Sequence, residues 1–395
     1  MTDYNNIITL VSREAKLQGL SGSRLTITHD MEAWMIDEKR LLDTFLHLVR
    51  IDSPSGEEHA MAQELAKRLR QLGLTVELDE IHNVVAKLPG QGSPLLLAAH
   101  MDTVMPGRGI KPIVKEGIVY SDGTTILGAD DKAGVAIILE LLQTIVENNL
   151  PHPPLEVVIT VQEETGLFGA KHLDKSRLQA KAGISFDAGG APGTIIVAAP
   201  SQDNLVAVVH GKAAHAGTRP EEGINAILVA AQALVNMPLG RIDEETTANI
   251  GIIRGGLARN IVPDRVELIG EARSRQLSKL EAQVARMVEA LQAAAKHYGT
   301  TVDIEITRSY NGYTLATENT IVKQLMAACH AVVIKPILVA TGGGSDVNIY
   351  NASGLQVVNL SSGLHKEHST EEHVAVADMV TCAQIVLQFL NDWLV

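Results

Sequence analysis

The feature that most restricts this 395-residue chain is a set of short apolar runs in which polar and apolar positions hardly alternate: Val84–Lys87, Leu95–Ala99, Glu156–Val161 and Gly183–Phe186. A strand with one face in water alternates, whereas a strand apolar on both sides is covered on both sides. Helical patterns separate these runs. Ala133–Asn148 is one, and Met31–Leu72 repeats apolar residues at helical spacing (Leu41, Phe45, Leu48, then Met61, Leu65, Leu69), broken by DSPSGEE at 52–58. Strands alternating with helices predict an α/β fold, a largely parallel sheet between layers of helices. Aromatic residues are only 3% of the chain, so the core must be built from Leu, Ile, Val and Ala. A base-stacking platform has little to be made from.

The texture changes near Ser201. NLVAVVHGKAAHAGT predicts a strand and turn, Gly223–Val235 a helix, ANIGIIRGG and RVELIGEARS strands, Leu277–Tyr298 a long helix and VDIEITRSY a last strand. That order is the β-α-β-β-α-β plan of a small α+β sandwich. The α/β pattern resumes near Thr317 and runs to a final helix ending at Leu394. The expected organisation is a lead-in over 1–30, a main α/β domain over 31–202 and 313–395, and an inserted domain over 203–312.

The net charge of −13 makes nucleic acid and anionic membranes poor partners, because both would be repelled at long range. No segment approaches the roughly 20 apolar residues of a membrane span. The N-terminus lacks a basic start followed by an apolar run. Cys329 and Cys382 are isolated, so neither a CxxC zinc ribbon nor a disulfide framework is expected. A reducing cytoplasm is the default location.

Acids and histidines cluster where predicted strands end. His100 and Asp102 follow LLLAA, Glu163 and Glu164 follow VVITVQ, and Asp187 follows GISF. His365, His368 and His373 follow VVNLSSGL, and Asp130 and Asp131 precede a helix in ILGADDKAG. Ligands collect beyond the carboxyl ends of strands in open α/β sheets. Imidazole with carboxylate suits zinc, manganese or cobalt. Five protein ligands exceed what one catalytic zinc takes. They suit two ions sharing one carboxylate, which together polarise a carbonyl and activate a water. Asp102 is placed to hold the ring of His100.

Taken together, these stretches resemble the M20 family of metallopeptidases, most closely its peptidase T (tripeptide aminopeptidase) branch. The resemblance is carried by AAHMDTV (98–104), LGADDKAG (127–134), QEETGLFGAKHLD (162–174), FDAGG (186–190), AHAGT (214–218), GGGSDVN (342–348) and HSTEEH (368–373). It implies a zinc-peptidase-like catalytic domain interrupted by a ferredoxin-like lid and dimerisation domain. It assigns one metal to His100 and Asp187, the other to Glu164 and His368, and the bridge to Asp130, with a cis peptide between Asp130 and Asp131. His368 is preferred over His365 and His373 because Glu372 follows four residues later. Glu163 becomes the general base and Asp102 a catalytic partner of His100. His215 becomes an oxyanion stabiliser, often serving the partner subunit's site. Arg273, with Arg275 as competitor, Asn249, Gly343 and Gly344 become substrate contacts.

The implied reaction is metal-dependent amide hydrolysis that removes the N-terminal residue of tripeptides. Two divalent ions, most simply Zn2+ with Mn2+ or Co2+ as substitutes, would be the only cofactors. A homodimer would form through the inserted domain. The alternatives are an N-acyl-amino-acid deacylase, dipeptidase or carboxypeptidase with the same metal site, and a non-catalytic metal-binding scaffold.

Overall fold

The computed structural model describes residues 35–394. The lead-in expected over 1–30 and the start of the helical pattern at Met31 lie outside the described residues. The first half runs α1 (Glu38–Val49), α2 (His59–Gln71), β1 (Thr75–Leu78), β2 (Val84–Leu88), β3 (Leu95–His100), β4 (Ile113–Lys115), β5 (Ile118–Tyr120), α3 (Ala129–Glu147), β6 (Leu155–Thr160), α4 (Phe168–His172), β7 (Ala182–Ser185) and β8 (Thr194–Ala199). A second stretch holds β9 (Ser201–His210), α5 (Ala226–Asn236), β10 (Gly240–Arg241), β11 (Thr246–Gly255), β12 (Arg265–Ser274), α6 (Leu277–His297) and β13 (Val302–Tyr310). The chain ends with β14 (Tyr313–Thr314), α7 (Thr320–Ala331), β15 (Ile337–Ala340), α8 (Asp346–Ala352), β16 (Gln356–Leu360), β17 (Leu364–His365), β18 (His373–Ala375) and α9 (Val376–Trp393).

The main sheet is mixed, in the order β1-β2-β6-β3-β7-β16-β8-β14, with β15 also on β8. Its centre is parallel: β3 pairs with β6 and β7, and β16 pairs with β7, all in the same direction. Strands β3, β6 and β7 are buried along their whole length, as runs without alternation require. Helix α3 is buried nearly all round and packs on β3, α1 and α9. On the other face, Leu96, Ala98, Val158, Val347, Tyr350 and Val357 form a cluster beneath α4 and α8.

The second sheet is antiparallel, in the order β10-β11-β12-β9-β13. Leaving aside the two-residue β10, its sequence order β-α-β-β-α-β and the placement of the first strand between the third and the fourth give a ferredoxin-like unit. Helices α5 and α6 cover one face around Leu205, Ala207, Val229, Leu268 and Met287. A small third sheet, β17-β18-β5-β4, has no counterpart in the sequence reading. Its strands are two or three residues long, too short to produce a period. No described helix is long and apolar enough to cross a membrane.

Candidate active site

Because β3, β6, β7 and β16 run in parallel, their carboxyl ends share one edge, and the charged side chains gather there. His100 is the last residue of β3, Glu163 and Glu164 follow β6, and Asp187 follows β7. Asp130 stands in the first turn of α3, and His368 in the loop between β17 and β18. His100 Nε2 lies 3.1 Å from Asp130 Oδ1 and 3.9 Å from Asp187 Oδ1. His368 Nε2 lies 3.2 Å from Asp130 Oδ2 and 2.9 Å from Glu164 Oε1. Asp130 therefore offers one oxygen to each histidine. Two sets, His100–Glu163–Asp187 and His100–Asp130–Glu164, each bring their donor atoms within 4.8 Å of one another. The residues line a cleft of about 400 Å³ together with Tyr313, Gly343, Gly344, Ser345 and Asn359.

Four carboxylates face two imidazoles here. Burial opposes ionisation of Glu163, and the nearby charges of Asp346 and Glu164 add to it, so its pKa stands well above the usual range despite His100. Asp187 is raised in the same way by burial, then by Glu163 and Asp130. Asp130 goes the other way: burial would raise it, but hydrogen bonds to His100 and His368 hold it low. His368 is pushed up to about 10 by its bonds to Asp130 and Glu164. A cluster in which acids hold protons and histidines stay charged is short of positive charge. Oxygen and imidazole donors at this spacing fit divalent cations, which would supply it.

Backbone hydrogen bonds to distant carboxylates hold the ligands. Asp102, fully buried, has its backbone carbonyl 3.1 Å and its Oδ1 3.3 Å from His100 Nδ1. Its oxygens also accept from the N–H of Glu163 (2.9 Å), the N–H of Glu164 (3.2 Å) and the hydroxyl of Ser55 (2.6 Å). Asp102 thus fixes the two glutamates as much as the histidine, and it lies behind the cleft rather than on its wall. Glu58 accepts from Gln162 N at 3.0 Å, and Glu372 accepts from the N–H groups of Leu127, Gly128 and Asp130 at 2.8–2.9 Å. Burial lifts Glu372 to about 7.

Helix α3 starts four residues earlier than the pattern predicts. The Asp130–Asp131 peptide is cis, and both residues have non-helical torsions. Asp131 turns inward, fully buried, and accepts from Gly134 N (3.2 Å) and His100 N (3.4 Å). A Cβ on Gly134 would fall 2.3 Å from Asp131 Oδ1 and 2.5 Å from Phe186 Cβ. The second glycine of LGADDKAG is there to let that carboxylate lie against the helix.

Other residues named from sequence are distributed unevenly. Gly343 and Gly344 line the cleft. Arg273 is bonded to Glu271 at 2.8 Å and is not on the cleft wall; burial would lower its pKa, but Glu271, Tyr310 and Glu163 raise it. Arg275 instead approaches Glu245 at 3.9 Å. His215 is exposed on the turn after β9 and is not on the cleft wall, and Asn249 is exposed on β11. His365 lines the cleft but stacks on His373, 5.4 Å away, which in turn stacks on Tyr120. Sequence reasoning missed Ser55, Glu58, Tyr310, Asp346 and Asn359. DSPSGEE showed as a break between two helical patterns and said nothing of Asp102 or Gln162.

Residues 96–392 match the family described as Peptidase family M20/M25/M40. The Bacillus subtilis protein YqjE is 42% identical over 91% of this chain and 99% of its own length. Peptidase T of Vibrio cholerae is 26% identical over 89% of this chain and 97% of its own. Among solved structures, a Staphylococcus aureus tripeptidase superposes with a TM-score of 0.86 at 41% identity, covering 91% of this chain and 99% of that one. Bacillus cereus aminopeptidase PepT does so with a TM-score of 0.82 at 42% identity and the same coverage. With its fold, its cleft and three quarters of its length in agreement, the chain belongs to peptidase family M20/M25/M40.

Proposed function

We propose that the protein removes the N-terminal residue of short peptides, tripeptides above all, using two divalent ions. The observation that carries this reading is Asp130, set between two histidines with one oxygen toward each. His100 and Asp187 would hold one ion, Glu164 and His368 the other, and Asp130 both. Zn2+ suits the donors, as do Mn2+ and Co2+. Bound there, the ions would polarise the scissile carbonyl and lower the pKa of the attacking water.

Glu163 is buried beside His100 and Asp187 without being needed by either histidine. Its raised pKa suits a general base that takes a proton from water and returns it to the leaving amine. Arg273 would receive the far carboxylate of the peptide through a planar two-bond contact, and Gly343 and Gly344 let the peptide backbone come close. The resemblance to a tripeptidase and to aminopeptidase PepT supports this choice over deacylase, dipeptidase or carboxypeptidase activity.

Residues 203–312 are read as a lid and dimerisation domain. Beyond the two residues paired with β10, the outer edge of β11 carries no described strand. Ile252, Ile253 and Leu257, with Leu228 and Val235 on α5, leave apolar surface exposed. A second copy would cover it. His215 Nδ1 accepts from Gly217 N (3.1 Å) and Thr218 N (3.2 Å), so the ring proton sits on Nε2. That N–H would serve the oxyanion in the other copy's cleft.

The test is metal content per chain, followed by a peptide panel with that metal restored. Two ions per chain and release of the first residue from tripeptides are expected, with dipeptides and N-acetyl amino acids much slower. Two ions bound with no hydrolysis of any peptide would favour the scaffold alternative.

A further inference from the structure

The main sheet and the ferredoxin-like unit are joined by two crossings. One passes from β8 to β9 through Pro200, the other from β13 to β14 through Asn311 and Gly312. Asn348, in the first turn of α8 and 1% exposed, touches both. Its Nδ2 donates to Pro200 O at 3.0 Å and to Asn311 O at 2.8 Å. Its Oδ1 accepts from Ser345 N at 3.1 Å, next to the glycines of the cleft wall. Two carbonyls demand two donors, so the amide has one orientation. One side chain binds three backbone segments that are otherwise separate.

What these segments carry is the substrate end of the cleft. Gln202, two residues past Pro200, is the register partner of Arg273 on one side and Tyr310 on the other. Tyr310 directly precedes Asn311, and its ring fills the space where a Cβ on Gly344 would stand, 2.2–2.3 Å away. The hydroxyl of Ser201 adds a bond from Gly312 N at 2.6 Å, tying one crossing to the other. We infer that Asn348 is a positioning residue that sets the row Arg273–Gln202–Tyr310 against the glycine loop, and so fixes the far end of the peptide relative to Glu163. Its kinetic consequence rests on the peptidase reading above.

The test compares Asn348→Ala with Asn351→Ala on the same helix, where Asn351 donates to Val347 O and Val357 O and accepts from Val357 N, touching neither crossing. For N348A, KM for a free tripeptide rises at least tenfold while kcat stays within threefold and metal content is unchanged. Hydrogen exchange quickens together at 201–203 and 310–313. N351A lowers Tm and leaves KM alone. An unchanged KM in N348A, or loss of kcat and Tm together with KM constant, overturns the inference, since either is what a merely structural amide would give. Unchanged exchange at either crossing overturns it too. If N348A does not fold, N348S carries the same expectations. Should the wild-type protein cleave no tripeptide, the peptidase reading fails, and the exchange measurement still decides the role of Asn348.

Discussion

The carboxyl edge of the main sheet and the β11 face of the ferredoxin-like unit handle polar groups in opposite ways. At the edge, charges are buried, and carboxylates such as Asp102 and Glu372 are bonded to backbone N–H groups from distant segments. On the β11 face, Asn249 is in solvent and isoleucines are exposed beside it. Fixed geometry needs that kind of side-chain to main-chain bonding, because a buried charge without partners is costly. The edge therefore holds its shape within one chain. The β11 face leaves apolar side chains exposed, and it is there that the proposed second copy would sit.

The largest effect expected from breaking this contrast is on the edge. Glu163→Gln should lower kcat by about 10²–10⁴-fold, the usual worth of a general base, with metal content intact. A variant cleaving tripeptides at the wild-type rate would remove Glu163 from that role. His215→Ala should lower kcat by about 10²–10³-fold, as loss of an oxyanion donor does. Mixing H215A with E163Q should then recover roughly a quarter of wild-type activity, because random pairing makes half the dimers mixed and each has one complete site. No recovery after subunit exchange would mean that His215 serves its own chain or none. Arg273→Ala should raise KM for tripeptides about tenfold, the loss of a charge-assisted contact. Arg275→Ala should leave it within about twofold, since its partner is Glu245 at 3.9 Å and not a group of the cleft.

The smallest effect is on stability in the absence of metal. His368 is raised to about 10 from an ordinary value of 6.5. Its contribution is complete below about 6.5 and is lost as pH rises toward the folded value. His100, Glu163 and Asp187 act in the same sense, since the folded chain binds their protons more tightly than the unfolded chain; Lys132, lowered to about 7 by burial, opposes them in this range, and the opposing effect of Asp130 falls at lower pH. The chelated protein should lose Tm steadily between pH 6.5 and 10, and restoring metal should flatten the slope. A flat profile without metal would contradict the charge balance described for the cleft.

Much of this was legible in the sequence, and the reason is local. Buried parallel strands announce themselves as runs without alternation, and His100, Glu163, Glu164 and Asp187 directly follow such runs. The ferredoxin-like plan was readable because its helices and strands are long enough to show their periods. The interrupted start of α3 left no mark in the periodicity, because Asp130 and Asp131 take non-helical torsions within a sequence that otherwise favours helix; only the family resemblance implied the cis peptide there. Ser55, Glu58 and Asn348 escaped for another reason. Each acts on a group some 40 to 150 positions away in the chain, the Asp102 carboxylate for Ser55 and backbone for the other two, and nothing local distinguishes a side chain that does this from one facing water. Asp102 was found, but its hold on the Glu163 and Glu164 amides was not, since backbone donors leave no mark in sequence. Arg273 and Arg275, equal as text, are separated by where the strand stops: Arg273 is still within β12 and pairs with Glu271, whereas Arg275 lies just past its end and approaches Glu245.

Glu372 grips the backbone on either side of Ala129 from the same short loop that carries His368. Asp130 and His368 are thereby a single mechanical piece made from the two distant halves of the chain. A polypeptide still emerging from the ribosome, with its last strands unmade, has neither His368 nor the clasp that presents Asp130. On the proposed reading, loading with metal, and with it the ability to cut peptides, would wait until the segment carrying His368 and Glu372 has been made.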